Sequence, residues 1–213
     1  MKNLLIILSL LFVALFHSCD LIKDKDDISG DQSPMGEVGV TVSSSSAEIA
    51  GVSNFSAVIT NLDDGISTYS ASATVTNELL RNMVANFPGV EINGDVVTIT
   101  DMKIQQTKEG IKSISGNGAG VLVKYDSKVG DTYPIEGTES VRTVVSKTGE
   151  DDYSYGFMLI KTIQVEQDPV NLKSVAVDKY TYIANHKFGL VGVKVDFGDG
   201  TSATFPIYTS AEN

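Results

Sequence analysis

The chain has 213 residues, a formal net charge of −11, a single cysteine and no tryptophan. Its acidic balance argues against nucleic acid and anionic lipid headgroups as partners, because both would be repelled. The lone cysteine excludes an intrachain disulfide, so stability must come from a hydrophobic core.

Lys2 followed by Leu4 to Phe16, apolar apart from Ser9, has the make-up of an export signal. At about 1.5 Å per residue that run reaches about 20 Å, short of the roughly 30 Å a membrane span needs. The next residues, Phe16-His17-Ser18-Cys19, resemble the lipobox of bacterial lipoproteins. Ser18 and Cys19 match that pattern, while Phe16 and His17 depart from it. The resemblance implies cleavage before Cys19, which would carry a diacylglyceryl group and an acyl chain such as palmitate. The other reading is an ordinary secretory signal with a chance cysteine. Removing residues 1–18 leaves enough chain for one well-buried domain.

Residues 19–36 read as the lipidated cysteine and a flexible acidic tether, rich in charge and without an apolar period. The segment Lys23 to Asp27 is similar to the acidic surface-export segment of some Gram-negative lipoproteins. Asp20 instead resembles the inner-membrane retention rule of other bacteria, so the leaflet stays open.

A β-rich domain is expected over residues 37–213. Val38, Val40 and Val42 alternate with polar or small residues, as a half-buried strand does. Phe55 to Thr60 reads as a second strand, and Asn61 to Gly65 as a turn. Thr68 to Thr76 alternates again, with small residues suited to a tightly covered face. Leu79, Leu80, Met83, Val84 and Phe87 then recur at helical spacing. Thr76 or Asn77 would cap this one short helix near residues 77–87, and Pro88-Gly89 would end it.

Strand patterns follow to the end. Gly94-Asp95 marks a hairpin between Val90 to Asn93 and Val96 to Met102. Later strands are expected over Ile111 to Ser115, Ala119 to Tyr125, Ser140 to Lys147, Tyr153 to Glu166, Leu172 to Ala184, Gly189 to Phe197 and Thr201 to Tyr208. Short turns and the lack of a βαβ rhythm predict an all-β fold, mostly an antiparallel curved sheet or partly closed barrel, with a sandwich as the alternative.

No catalytic constellation emerges, so no enzyme is expected. His186 is the one histidine beyond the signal, in a loop-like Asn185-His186-Lys187. The carboxylate clusters fall in turns, where Asp suits the local backbone. The segment Val195 to Thr201 resembles the DFGDGT turn of PKD-type extracellular β-sandwich modules, but too little chain follows to complete such a module. Asp196 and Asp199 within it are the calcium candidates, offering hard oxygen ligands at a spacing that matches no EF-hand loop. Gly116 to Gly120 precede a strand and not a helix, so they read as a turn or bulge, and no cofactor is implied. Tyr153, Tyr155 and Phe157 share one face of their expected strand, as do Tyr180 and Tyr182; on a core face such rings pack, and on an open face they stack on sugars or line an apolar cavity.

Lys128 to Tyr133 and Tyr153 to Gly156 resemble uncharacterised Gram-negative surface lipoproteins. The expectation is a non-catalytic, lipid-anchored β-domain of the outer membrane or cell surface that binds a protein, glycan or lipid ligand. Its alternative is a carrier with an apolar cavity under a curved sheet, and an exported hydrolase is the third reading.

Overall fold

The computed structural model describes residues 27–213 apart from 86, 115, 117 and 170–176. One antiparallel sheet is built from β1 (Thr41–Ser43), β2 (Val52–Asp63), β3 (Ile66–Val75), β4 (Val90–Asn93), β5 (Val96–Gln106), β6 (Gly110–Ser113), β7 (Gly120–Lys124) and the last strand, β16 (Tyr208–Thr209). Its order is β16-β1-β2-β3-β5-β6-β7, and β4 pairs with the first half of β5. The second sheet runs β15-β14-β13-β12-β9-β8. These are β8 (Thr132–Pro134), β9 (Val141–Lys147), β12 (Ile163–Gln167), β13 (Val177–Asn185), β14 (Gly189–Phe197) and β15 (Ser202–Pro206). A small hairpin, β10 (Tyr153–Tyr155) and β11 (Met158–Ile160), stands apart from both. The expected all-β fold holds: the larger sheet curls into an antiparallel half-barrel.

The curl has local causes. Register shifts interrupt β2–β3 between Ser53 and Ser56 and between Ile59 and Asn61, and β3–β5 between Tyr69 and Ala71. Each irregularity adds twist to a sheet that already twists right-handed. Tight turns set the rest. Asp64-Gly65 joins β2 to β3 with both residues at positive φ, 47° and 75°, and Gly94 turns β4 into β5 at φ 62°.

The sheets share their core. Val123 and Ile111 of the larger sheet pack with Val144, Val165 and Ile163 of the smaller. At the other end Val75 and Val97 meet Val177 and Val195 beneath a helix, α1 (Glu78–Val84). Asn77 caps that helix, its Oδ1 accepting from Leu79 N (3.0 Å) and Leu80 N (3.3 Å). Only one side of α1 is needed for packing: Leu80 is buried whereas Leu79 is exposed.

Several expectations are corrected. The packed body begins upstream of Glu37, within the stretch read as tether: Ile28, Ser33 and Met35 are all buried. Ser33 Oγ accepts from Met35 N (3.1 Å) and donates to Asn213 Oδ1 (2.6 Å), tying this segment to the C-terminus. The expected long strand Tyr153 to Glu166 is three short ones, because Gly156, at φ 58°, turns the chain back. The last expected strand also divides: β15 ends at Pro206 and β16 pairs with β1 in the other sheet. Ile207 sits at this crossing, its N donating to Val191 O (3.0 Å). Residues 1–26, and with them the signal and Cys19, lie outside the described residues.

Candidate functional site

Strand alternation sends Tyr69, Ala71, Ala73 and Val75 of β3 toward the second sheet. The small residues there were expected to lie under close cover. Instead the opposing strands stand off from them, and the space forms two adjoining apolar chambers of about 550 and 320 Å³. Phe55, Ala71, Ile99 and Ile207 border both chambers, so the two are neighbours within one inter-sheet space. Both volumes fall in the range of small-molecule sites, roughly 300–1,000 Å³.

The two chambers differ in chemistry. The smaller one is walled by Val52, Val75, Leu80, Val84, Val97 and Val195, with Phe205 and Tyr180. The larger one adds polar groups to its apolar walls, chiefly Tyr69 and Gln106. Both of these side chains are more than nine-tenths buried, and the Gln106 amide donates to the Tyr69 hydroxyl. Gln106 Nε2 also donates to Met35 O at 3.3 Å. A carbonyl only accepts, so this contact fixes which end of the amide is nitrogen. Burial pushes the Tyr69 phenol above its ordinary value, opposed by its bond to Gln106, so the hydroxyl keeps its proton at neutral pH.

Beside the larger chamber lies a buried cation. Arg142 is 1% exposed and spans the two sheets. Its Nε donates to Gln167 Oε1 (2.7 Å), one terminal nitrogen to Val121 O (2.9 Å) and the other to Gly118 O. The Tyr182 ring lies 5.9 Å from the guanidinium carbon, and Tyr182 Oη donates to the same Gln167 oxygen (3.1 Å). Burial lowers the Arg142 pKa and Tyr182 counters that shift. The glycine run now has a reason. Gly118 and Gly120, whose backbone borders the guanidinium, sit at φ 125° and 117°, and a Cβ on Gly120 would stand 2.8 Å from Pro134 O. Sequence reading gave Arg142 no role, although its two-residue spacing from Val144 was the available signal of an inward face.

The residues singled out from sequence scatter. His186 is an exposed turn residue whose carbonyl accepts from Asn213 Nδ2 (2.6 Å). Asp199 Oδ1 accepts from Thr201 N (2.9 Å) and Thr201 Oγ1 (2.6 Å), which holds its carboxyl below the usual range. Asp196 pairs with Lys194 at 2.7 Å. Among the described residues no group of three His, Cys, Asp or Glu side chains is placed to hold a metal. The tyrosine pairs divide. Tyr180 lines the smaller chamber and Tyr182 the larger. Tyr155 packs outside them, against Phe188 and Tyr208 at 4.9 and 5.2 Å between ring centroids. Phe157 is fully exposed at the tip of the β10–β11 hairpin, beside exposed Met158 and Leu159.

No family model, no curated protein and no solved structure matches this chain.

Proposed function

We propose that this protein is a non-catalytic binder of apolar small molecules, exported and held at the cell envelope by lipid on Cys19. The observation that carries the binding role is the pair of adjoining apolar chambers between the sheets. Ala71 and Ala73 project into a space that larger side chains could have filled. A fold selected only for core stability closes such gaps, because interiors pack at close to crystalline density. The anchor rests on the lipobox-like residues alone.

Native mass spectrometry of protein purified from its own cells tests both parts. The expected spectrum shows a diacylglyceryl-modified Cys19 as the first residue, and a retained apolar molecule released on denaturation. An unmodified Cys19 with the signal still attached overturns the anchor. Failure of the protein to retain a lipid or to take up any apolar fluorescent probe overturns the binding role.

A second reading, partner binding, is favoured by the exposed Phe157-Met158-Leu159 tip. Its test is Phe157→Ser, which would abolish partner capture and leave probe uptake in the cavity unchanged.

A further inference from the structure

Resting on the cavity reading above, the polarity of the two chambers narrows the ligand class. Along β3, Tyr69 marks the polar chamber and Val75 the apolar one. Six residues of strand separate them, about 20 Å at about 3.3 Å per residue. A ligand that fills both is long, with a polar group at one end only.

Hydrogen-bond accounting at Tyr69 and Gln106 specifies that polar group. Gln106 spends its nitrogen on the Tyr69 hydroxyl oxygen and on Met35 O. That leaves Gln106 Oε1 without a donor and the Tyr69 proton without an acceptor among the described residues. Both side chains line the larger chamber. One free acceptor and one free donor, both more than nine-tenths buried at one chamber, complement a group that donates once and accepts once. A hydroxyl is such a group.

Charge decides against the commoner lipid head. No Lys, Arg or His is among the described residues lining either chamber. The one carboxylate on the lining, Asp101, keeps its side chain 72% exposed to solvent. Arg142 is nearby, but its nitrogens are turned to Gln167, Val121 and Gly118. An ionised carboxylate or phosphate entering here would lose its hydration and meet no cation, which is costly.

We infer that the cavity takes an uncharged, long-chain amphiphile with a terminal hydroxyl, the hydroxyl bonded to Tyr69 and Gln106 and the chain running over Ala71 toward Val75. Selectivity comes from the hydroxyl. A site that hydrogen-bonds an OH rejects the analogue lacking its proton, because a buried acceptor is then left unpaired.

The test uses the full chain and displacement of an apolar fluorescent probe by three competitors at pH 9: hexadecanol, hexadecyl methyl ether and hexadecanoate. Hexadecanol is expected to displace the probe about tenfold more tightly than the ether, the size of one lost hydrogen bond with its unpaired partner. Hexadecanoate, ionised at this pH, is expected to be weaker still, and to tighten as the pH is lowered and it takes up its proton. In Tyr69→Phe with Gln106→Leu, the alcohol and the ether are expected to become equal while probe binding persists. Hexadecanoate equal to or tighter than hexadecanol overturns the inference, and so does an ether as tight as the alcohol in the unaltered protein. Those two results leave the apolar-binding reading standing. A protein that binds no probe at all removes both.

Discussion

Where β7, β9 and β12 meet, the two sheets are packed shut; where β2, β3 and β5 face β14, they stand off around a cavity. The closed region is built from β-branched side chains in register. Val144 sits directly opposite Val165, and both, with Val123, have no exposed surface. The hollow region uses the same strand alternation but places Ala57, Ala71 and Ala73 on the inner face. Alternation therefore sets which face looks inward, while side-chain volume sets whether that face closes.

The difference also separates two roles for buried polar groups. In the closed region Arg142 has a partner for each of its three nitrogens and joins the sheets. In the hollow region Gln106 and Tyr69 stand on the chamber wall and keep one acceptor and one donor without a partner among the described residues. Satisfied networks rigidify a fold, whereas groups left open at a cavity wall are suited to recognition.

Substitutions can break this contrast, beginning with the most damaging. Arg142→Ala is expected to destabilise the fold by on the order of 3–5 kcal/mol, since it leaves two buried carbonyls without their donor, takes one of two donors from Gln167 and empties the space of a large buried side chain. Urea denaturation measures it. Arg142→Lys should recover little, because an ammonium cannot reach three divergent acceptors as a guanidinium does.

Next comes a matched pair. Ile163→Ala in the closed region is expected to cost about 2–5 kcal/mol, whereas Ile99→Ala, on the wall of both chambers, should cost under about 1.5 kcal/mol. The side chain next to an existing space has fewer neighbours to lose. Equal losses would erase the distinction between the two regions.

Ala71→Leu should move the other way. It fills space common to both chambers and is expected to stabilise by about 0.5–2 kcal/mol while abolishing probe uptake. A thermal melt and the displacement assay read the two effects on one sample.

The smallest effect at neutral pH is electrostatic. Burial raises Tyr69 and Tyr125, and pushes Tyr180 up to about 12. A phenol whose folded pKa lies above its unfolded value of about 10 holds its proton more tightly when folded. The resulting stability is complete below pH 10 and declines as pH rises through the folded values. Absorbance titration at 295 nm should therefore show these tyrosines un-ionised at pH 11 in the folded chain. Their ionisation should coincide with alkaline unfolding.

Much of the fold was legible because it is written in local chemistry. The Asn77 cap, the Gly94 turn and the alternation in β3 are short-range features that place their elements, whereas the turn expected over Asn61 to Gly65 narrows to Asp64-Gly65 because β2 runs on to Asp63. The all-β, curved architecture follows from many such strands joined by short turns. Boundaries that depend on distant contacts were missed. Ile28 and Met35 carry no strand period, and only packing against residues far along the chain makes them core. The Tyr153 to Glu166 run has the pattern of one strand until Gly156 reverses it.

The candidate site was less legible than the fold. Small residues on one strand face are equally compatible with close sheet packing and with a cavity, and the distance to the opposing sheet chooses between them. That distance is set by the curl of the larger sheet and by the crossing at Ile207, which joins β15 to β16. Arg142 likewise reads as one more charge in a strand until Gly118, Val121 and Gln167 converge on it. Local sequence decides turns, caps and which face of a strand is apolar, because those depend on neighbours a few residues apart. The cavity, its open hydrogen-bonding groups and the buried arginine belong to the tertiary structure alone, because each needs residues far apart along the chain to meet.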